Sequence, residues 1–210
     1  MFRKILLLLT LLPLCFFAQS VVDVEKIGKE VSDPKSIYYY DRLEYKYRGI
    51  PGSLDKEEAK HLYYGRLFLN DKIEVTDPRF AELRKAFENG DFEKCATFGR
   101  SLYHLDATNL DILLILMRGL ESMKKFELLS LYMAQFRALT DTIVSSGDGK
   151  SEKTAYMVNT IGDEYILLNM LGINQDYRRS SKPVNTSMLD VWSNGNKQVF
   201  IKVLDTNLKL

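Results

Sequence analysis

The residues of this 210-residue chain best equipped for chemistry are two histidines, a glycine-rich loop ending in Gly-Lys-Ser, and a crowd of tyrosines. The loop, Ser146-Gly147-Asp148-Gly149-Lys150-Ser151, invites comparison with a phosphate cradle, in which backbone N–H groups hold the anion and a lysine reaches its outer phosphate. That cradle needs glycine at position 144, where the chain has Val144, and a strand before it, where a helical pattern runs. Asp148 would also repel phosphate. A calcium cage is no better served, because Asp148 and Glu152 supply too few carboxylates. The loop reads instead as a tight joint: Gly147 and Gly149 permit positive φ, Asp148 accepts backbone N–H bonds, and Ser151 caps a following helix. His61 and His104 have no nucleophile or metal partner at a recognisable spacing, and His104 falls on the outer side of its helix. Ser-x-x-Lys occurs at Ser32/Lys35, Ser53/Lys56 and Ser122/Lys125, without the Ser-Asp-Asn and Lys-Thr-Gly companions that give it meaning. No catalytic residue, cofactor loop or metal set is assigned, and no cofactor is expected.

Seven of the twelve tyrosines fall between Tyr38 and Tyr64. Tyr40, Leu43 and Tyr47 share one helical stripe and are expected in the core, which leaves Tyr39, Tyr45, Tyr63 and Tyr64 as possible contacts for a peptide or sugar. The net charge is +1, and losing Arg3 and Lys4 with an N-terminal leader would make it −1. Lysines interspersed with acids do not form the cationic footprint that nucleic acid requires.

The leader itself is legible. Met1-Phe2-Arg3-Lys4 precedes an apolar run from Ile5 to Phe17 that is too short to span a bilayer, so residues 1–20 read as a secretory signal cleaved after Ala18 or Ser20. The mature chain, residues 21–210, is then expected in the periplasm or cell exterior, without a transmembrane segment. Lipid attachment at Cys15 is a rival reading, although Leu14 stands where a small residue is wanted. Cys95 would be the remaining thiol, placed where a small apolar residue packs.

The elements that must position these residues follow from period and punctuation. Val24, Ile27 and Val31 mark a first helix, and Tyr38–Arg48 a second. A third is expected from a Ser53 cap to about Leu69. Asp77-Pro78 opens a fourth, Asn89-Gly90 closes it, and Asp91–Leu105 follows. Thr108-Asn109 caps the next, and a last long helix covers Lys125–Ser145. A helix is then expected over 151–171. Asn194-Gly195 marks a β-hairpin over 188–204, with a further strand near Tyr177.

Gly90-Asp91-Phe92-Glu93 returns thirty-four residues later as Lys124-Lys125-Phe126-Glu127. In that register Phe92 pairs with Phe126, Cys95 with Leu129, Phe98 with Tyr132, Leu102 with Phe136 and Leu105 with Leu139, as if one dry seam ran through both copies. On that reading Phe126→Asp would unfold the repeat, at about 1.5 to 3 kcal/mol before any charge penalty. With this period, Asn89–Asn109 resembles the second helix and closing turn of a tetratricopeptide repeat, through Gly90-Asp91-Phe92 and Leu105-Asp106, although Ala107 replaces the usual proline and Lys124 replaces glycine in the second copy. The resemblance implies a mainly α fold, with tetratricopeptide-like antiparallel hairpins in a core over 77–145 and the β-hairpin as a minor element. It also implies a concave binding surface from Asp111, Leu114, Arg118 and Glu121.

A second set of blocks, Asp33-Pro34 with Tyr38-Tyr39-Tyr40, His61-Leu62-Tyr63-Tyr64-Gly65, Ser146-Gly147-Asp148-Gly149 with Thr154-Ala155-Tyr156, and Glu164-Tyr165, is similar to an uncharacterised family of exported Bacteroidetes proteins, domain of unknown function 4919. That family carries no activity to transfer. The expected role is non-enzymatic binding of a protein or peptide in the cell envelope. The rival is an envelope hydrolase or glycan-binding protein using the tyrosine cluster and the Gly147–Gly149 joint with Asp148. Neither the partner nor the oligomeric state is written in the sequence.

Overall fold

The computed structural model describes residues 22–50 and 52–204, so the expected leader, with Cys15, lies outside the described residues. Short polar side chains start most of the helices by accepting the N–H groups that no earlier turn can satisfy. Asp23 caps α1 (Val24–Ser32) through Lys26 N at 2.9 Å. Tyr40, Leu43 and Tyr47 form the buried stripe of α2 (Tyr40–Gly49), as their spacing requires. α3 (Lys56–Gly65) begins at Asp55 and not at Ser53. Asp55 accepts from Glu58 N at 2.9 Å while the Glu58 carboxylate accepts from Asp55 N at 2.8 Å, a reciprocal pair that outcompetes a lone serine. The helix tightens into a 3-10 turn, Arg66–Phe68, before reaching Leu69.

Asp77 caps α4 (Pro78–Glu88), Asp91 caps α5 (Phe92–Leu105), and Asn109 caps α6 (Leu110–Ser122). α7 (Phe126–Ser145) is the longest, at 20 residues. The thirty-four-residue period is visible as geometry. Gly90 (φ 70) and Lys124 (φ 57) both adopt the left-handed conformation. Each is followed by the same closing bonds, Asp91 N to Ala86 O in one turn and Lys125 N to Leu120 O in the other.

The seam between the copies is only partly dry. Cys95, Leu102, Tyr132 and Leu139 are buried, and Phe98, Leu129 and Phe136 pack against the core. Leu105 is exposed, Phe92 is 37% exposed and Phe126 is 62% exposed. Both phenylalanines open their helices, and side chains at a helix start lean back towards the preceding turn, here beyond the packed interface. The expected unfolding by Phe126→Asp is therefore withdrawn. The substitution should change stability by no more than about 0.5 kcal/mol, and a thermal melt followed by circular dichroism checks it.

α6 is apolar on nearly all sides because it is wrapped: Ile112, Leu113, Leu116 and Leu120 are closed off by α4, α5 and α7. The 151–171 segment is not one helix. A 3-10 turn, Glu152–Thr154, leads into strand β1 (Tyr156–Val158), and Thr160 caps α8 (Ile161–Met170). β1 is drawn out by pairing in parallel with Ile201–Val203, a partner no local signal announces. β2 (Arg178–Val184), β3 (Ser187–Asn194) and β4 (Lys197–Val203) complete a sheet of order β1-β4-β3-β2. The expected hairpin is β3–β4 and the strand near Tyr177 is β2, so the architecture is mainly α with a minor sheet near the C-terminus.

Candidate functional site

The four tyrosines differ in exposure. Tyr63 and Tyr64 are fully enclosed: Tyr63 Oη donates to Asp163 Oδ2 at 2.7 Å and Tyr64 Oη to the Met157 carbonyl at 3.1 Å, joining α3 to α8 and β1. Burial pushes both phenols well up. Their hydroxyls are used as ties between elements, and neither ring is exposed. Tyr45 is 82% exposed, and Tyr39 is half-buried with its hydroxyl on Asp41 at 2.9 Å. His61 is buried under a parallel Tyr38 ring, with Nδ1 against the Glu57 carbonyl and Nε2 against Glu30 Oε2, each at 2.7 Å. The Glu30 contact pins α1 to α3, while the Glu57 contact lies within α3.

The 146–149 joint is structural in its detail. Only Gly149 has positive φ (64), whereas Gly147 is needed because a Cβ there would strike the Thr154 and Ala155 carbonyls. Asp148 accepts from Lys150 N at 3.1 Å; hydrogen bonds from Thr154 and then Lys150 hold its carboxyl at about 2. Ser146 Oγ accepts from Met157 N at 2.8 Å and so fixes the start of β1. Tyr64 and Ser146 meet in an open groove of about 390 Å³ between α3 and α7, lined also by Asp55, Lys56, Lys60 and Asp141. Its charges have both signs, Lys60 is held by Glu57 at 2.6 Å, and Tyr64 offers no exposed ring on which a sugar could stack.

The four α6 residues are dispersed in environment. Asp111 faces α8 against Gly162, and burial, then Asp163, raises its carboxyl to about 6. Leu114 is half-buried, while Arg118 and Glu121 are exposed and pair at 3.0 Å. Beside Glu121 the surface changes character. At the end where the two left-handed turns lie, α5, α6 and the start of α7 enclose a groove of about 430 Å³ lined by Ala96, Thr97, Arg100, Leu120, Met123, Lys125 and Leu128. The floor is apolar, and no carboxylate lines it. Arg100 and Lys125 form no ion pair among the described residues, although many other surface cations do. Met123 of the lining is 36% exposed; the exposed Phe126 follows Lys125 in sequence but, like Glu93 and Glu127 in the first turns of their helices, is outside the lining.

Sequence reasoning missed this groove because it treated Phe92 and Phe126 as core. The available signal was Lys124-Lys125-Phe126, a charged pair in a turn where the first copy has Gly90-Asp91. Lys124 holds a left-handed conformation that costs a lysine roughly 1 kcal/mol more than glycine.

Helical hairpins wrapped around one apolar helix and closed by a small sheet, with an apolar, cation-rimmed groove at the turn end, define a mainly α protein with a minor β element. The chain belongs to the family described as Domain of unknown function (DUF4919), whose model matches residues 25–198. No curated protein and no solved structure matches it. Among the described residues, no helix is long and apolar enough to cross a membrane.

Proposed function

We propose that this protein is an exported, non-enzymatic interaction module of the cell envelope, whose tetratricopeptide-like hairpins present the α5–α6–α7 groove to an apolar, acidic segment of a partner protein. The export reading rests on the cationic start and short apolar run of residues 1–20. The observation that carries the binding reading is the pairing of an apolar floor with two cations, Arg100 and Lys125, that have no internal counter-charge among the described residues. An apolar segment bearing carboxylates satisfies both, because its side chains leave water as its charges meet Arg100 and Lys125. The strained conformation of Lys124 beside the groove fits selection for surface over stability.

Peptides of mixed leucine and glutamate, titrated by fluorescence anisotropy, provide the test, with leucine–lysine peptides as controls. The acidic peptides should bind and the basic ones should not. Reversing both cations, Arg100→Glu with Lys125→Glu, should weaken binding roughly tenfold, about 1.4 kcal/mol, and the loss should shrink in high salt. Phe126→Asp should weaken it further while leaving the fold intact. Affinity indifferent to all three substitutions would remove the groove from the function.

A further inference from the structure

α8 and the sheet meet over two carboxylates closed off from solvent: Glu164 and Asp190 are each 0% exposed. A single nitrogen, Arg179 Nη2, serves both, donating to Asp190 Oδ2 at 2.6 Å and lying 3.5 Å from Glu164 Oε2. Trp192 Nε1 donates to Glu164 Oε1 at 2.7 Å. Glu164 Oε2 and Asp190 Oδ1 are then left buried with no hydrogen-bond partner. Two orphaned acceptors and a surplus negative charge form an arrangement that a folded interior strongly resists.

We infer that Glu164 and Asp190 share one proton, held on Glu164 Oε2 and donated to Asp190 Oδ1, so that a carboxyl–carboxylate hydrogen bond latches α8 to β3. One proton satisfies both orphaned oxygens and leaves a single anion facing a single guanidinium. The geometry also assigns its place. Arg179 makes its short bond to Asp190, while Glu164 receives a neutral indole N–H and can stay uncharged. In agreement, burial above all raises the Glu164 carboxyl from its ordinary 4.5 to about 7, with the Trp192 bond opposing and the Asp190 charge assisting. Among the described residues, the groups acting on the pair come from the sheet. From β2 comes Arg179, from β3 Asp190 and the Trp192 indole, and from β4 the apolar Ile201, which stands across from Asp190. Tyr63 of α3 and Asp111 of α6 act instead on the neighbouring Asp163.

The latch is therefore set by acid. A carboxyl whose folded pKa lies above its unfolded value contributes stability that is complete below about 4.5 and is lost as pH rises through about 7. Above that point two carboxylates compete for Arg179, and the sheet's grip on α8 weakens. The sheet's edge strand β2, which supplies Arg179, is exposed along most of its length and is held in the sheet by its ladder with β3.

Urea unfolding from about pH 5 to about pH 8 provides the test. The unmodified protein should lose stability as pH rises, and Glu164→Gln, whose amide can donate to Asp190 without titrating, should lose clearly less. The carboxyls of Asp111 and Asp163 are also raised, and they remain in both proteins, so the difference between the two profiles isolates Glu164. Identical profiles would overturn the inference, as two ionised groups around a trapped water predict. Should Glu164→Gln not fold, ¹³C-glutamate labelling of the unmodified chain decides. One glutamate carboxyl titrating near neutral pH supports the latch, and all titrating in the ordinary range excludes it.

Discussion

Replacing Asp106 by alanine is expected to remove about 3–5 kcal/mol of folding stability, more than any other single change in the helical region. Asp106 ends α5, is 2% exposed, and accepts four bonds: two from Arg66 Nε at 3.0 and 3.1 Å, one from Arg66 Nη2 at 2.7 Å and one from Ile73 N at 2.9 Å. Arg66 is equally enclosed, and its Nη2 also reaches the Ile73 carbonyl, which accepts a further bond from Asn109 Nδ2 at 3.0 Å. One carboxylate thus holds together the end of α3, the loop before α4 and the α5–α6 turn. Without it the guanidinium stays buried and uncompensated, which is the expensive outcome. The pair itself is worth less than its rupture. Arg66→Met combined with Asp106→Leu should therefore cost less than Asp106→Ala alone, because apolar replacements of similar size leave no stranded charge. Urea unfolding of the single and double variants measures both quantities, and a loss below about 1 kcal/mol for Asp106→Ala would contradict this account.

The second large effect is steric. Gly119→Val should cost about 2–3 kcal/mol, because a Cβ at position 119 would stand 2.6 Å from Ala96 N and 2.7 Å from Phe92 O, both backbone atoms of α5. A flexible side chain could move aside, but a helix backbone must be pushed away as a whole. α5 and α6 would then separate along their most extensive contact, loosening Cys95 and Leu116 together. Gly49→Ala provides the control. It lies in a helix with nothing within 4 Å of its would-be Cβ, so alanine should be neutral or stabilising by up to about 1 kcal/mol. If the two substitutions have similar effects on the thermal midpoint, close helix approach is not why position 119 is glycine.

Helix starts were the most legible features of this chain. Asp77 with Pro78, Asp91 and Asn109 each act on an N–H two or three residues away, so their role is complete within a single turn of sequence. The same holds for the stripe of Tyr40, Leu43 and Tyr47 and for Asn194-Gly195 at the β3–β4 turn. β1 was not legible in this way, and β2 was placed only as a strand near Tyr177. Arg178–Val184 is polar, carries Pro183 and is exposed along most of its length, which no composition rule calls a strand; it is extended because β3 supplies its hydrogen bonds. Pro183 is tolerated there because β2 is an edge. The candidate groove was half legible: the repeat register located its two turns, but the apolar character of Phe126 was read as burial when the side chain is exposed.

What the amino-acid order determined unaided is where helices begin and end and which stripe of each is apolar, since those outcomes depend on contacts within three or four residues. Only the tertiary structure decided which buried charges meet. Arg66 finds Asp106 across 40 positions and Tyr63 finds Asp163 across 100, and no local rule selects such partners. It likewise decided that Phe126 would be left at the surface. Hydrophobicity favours burial wherever a neighbour is available, and at the outer end of the α5–α6–α7 stack no element among the described residues covers it.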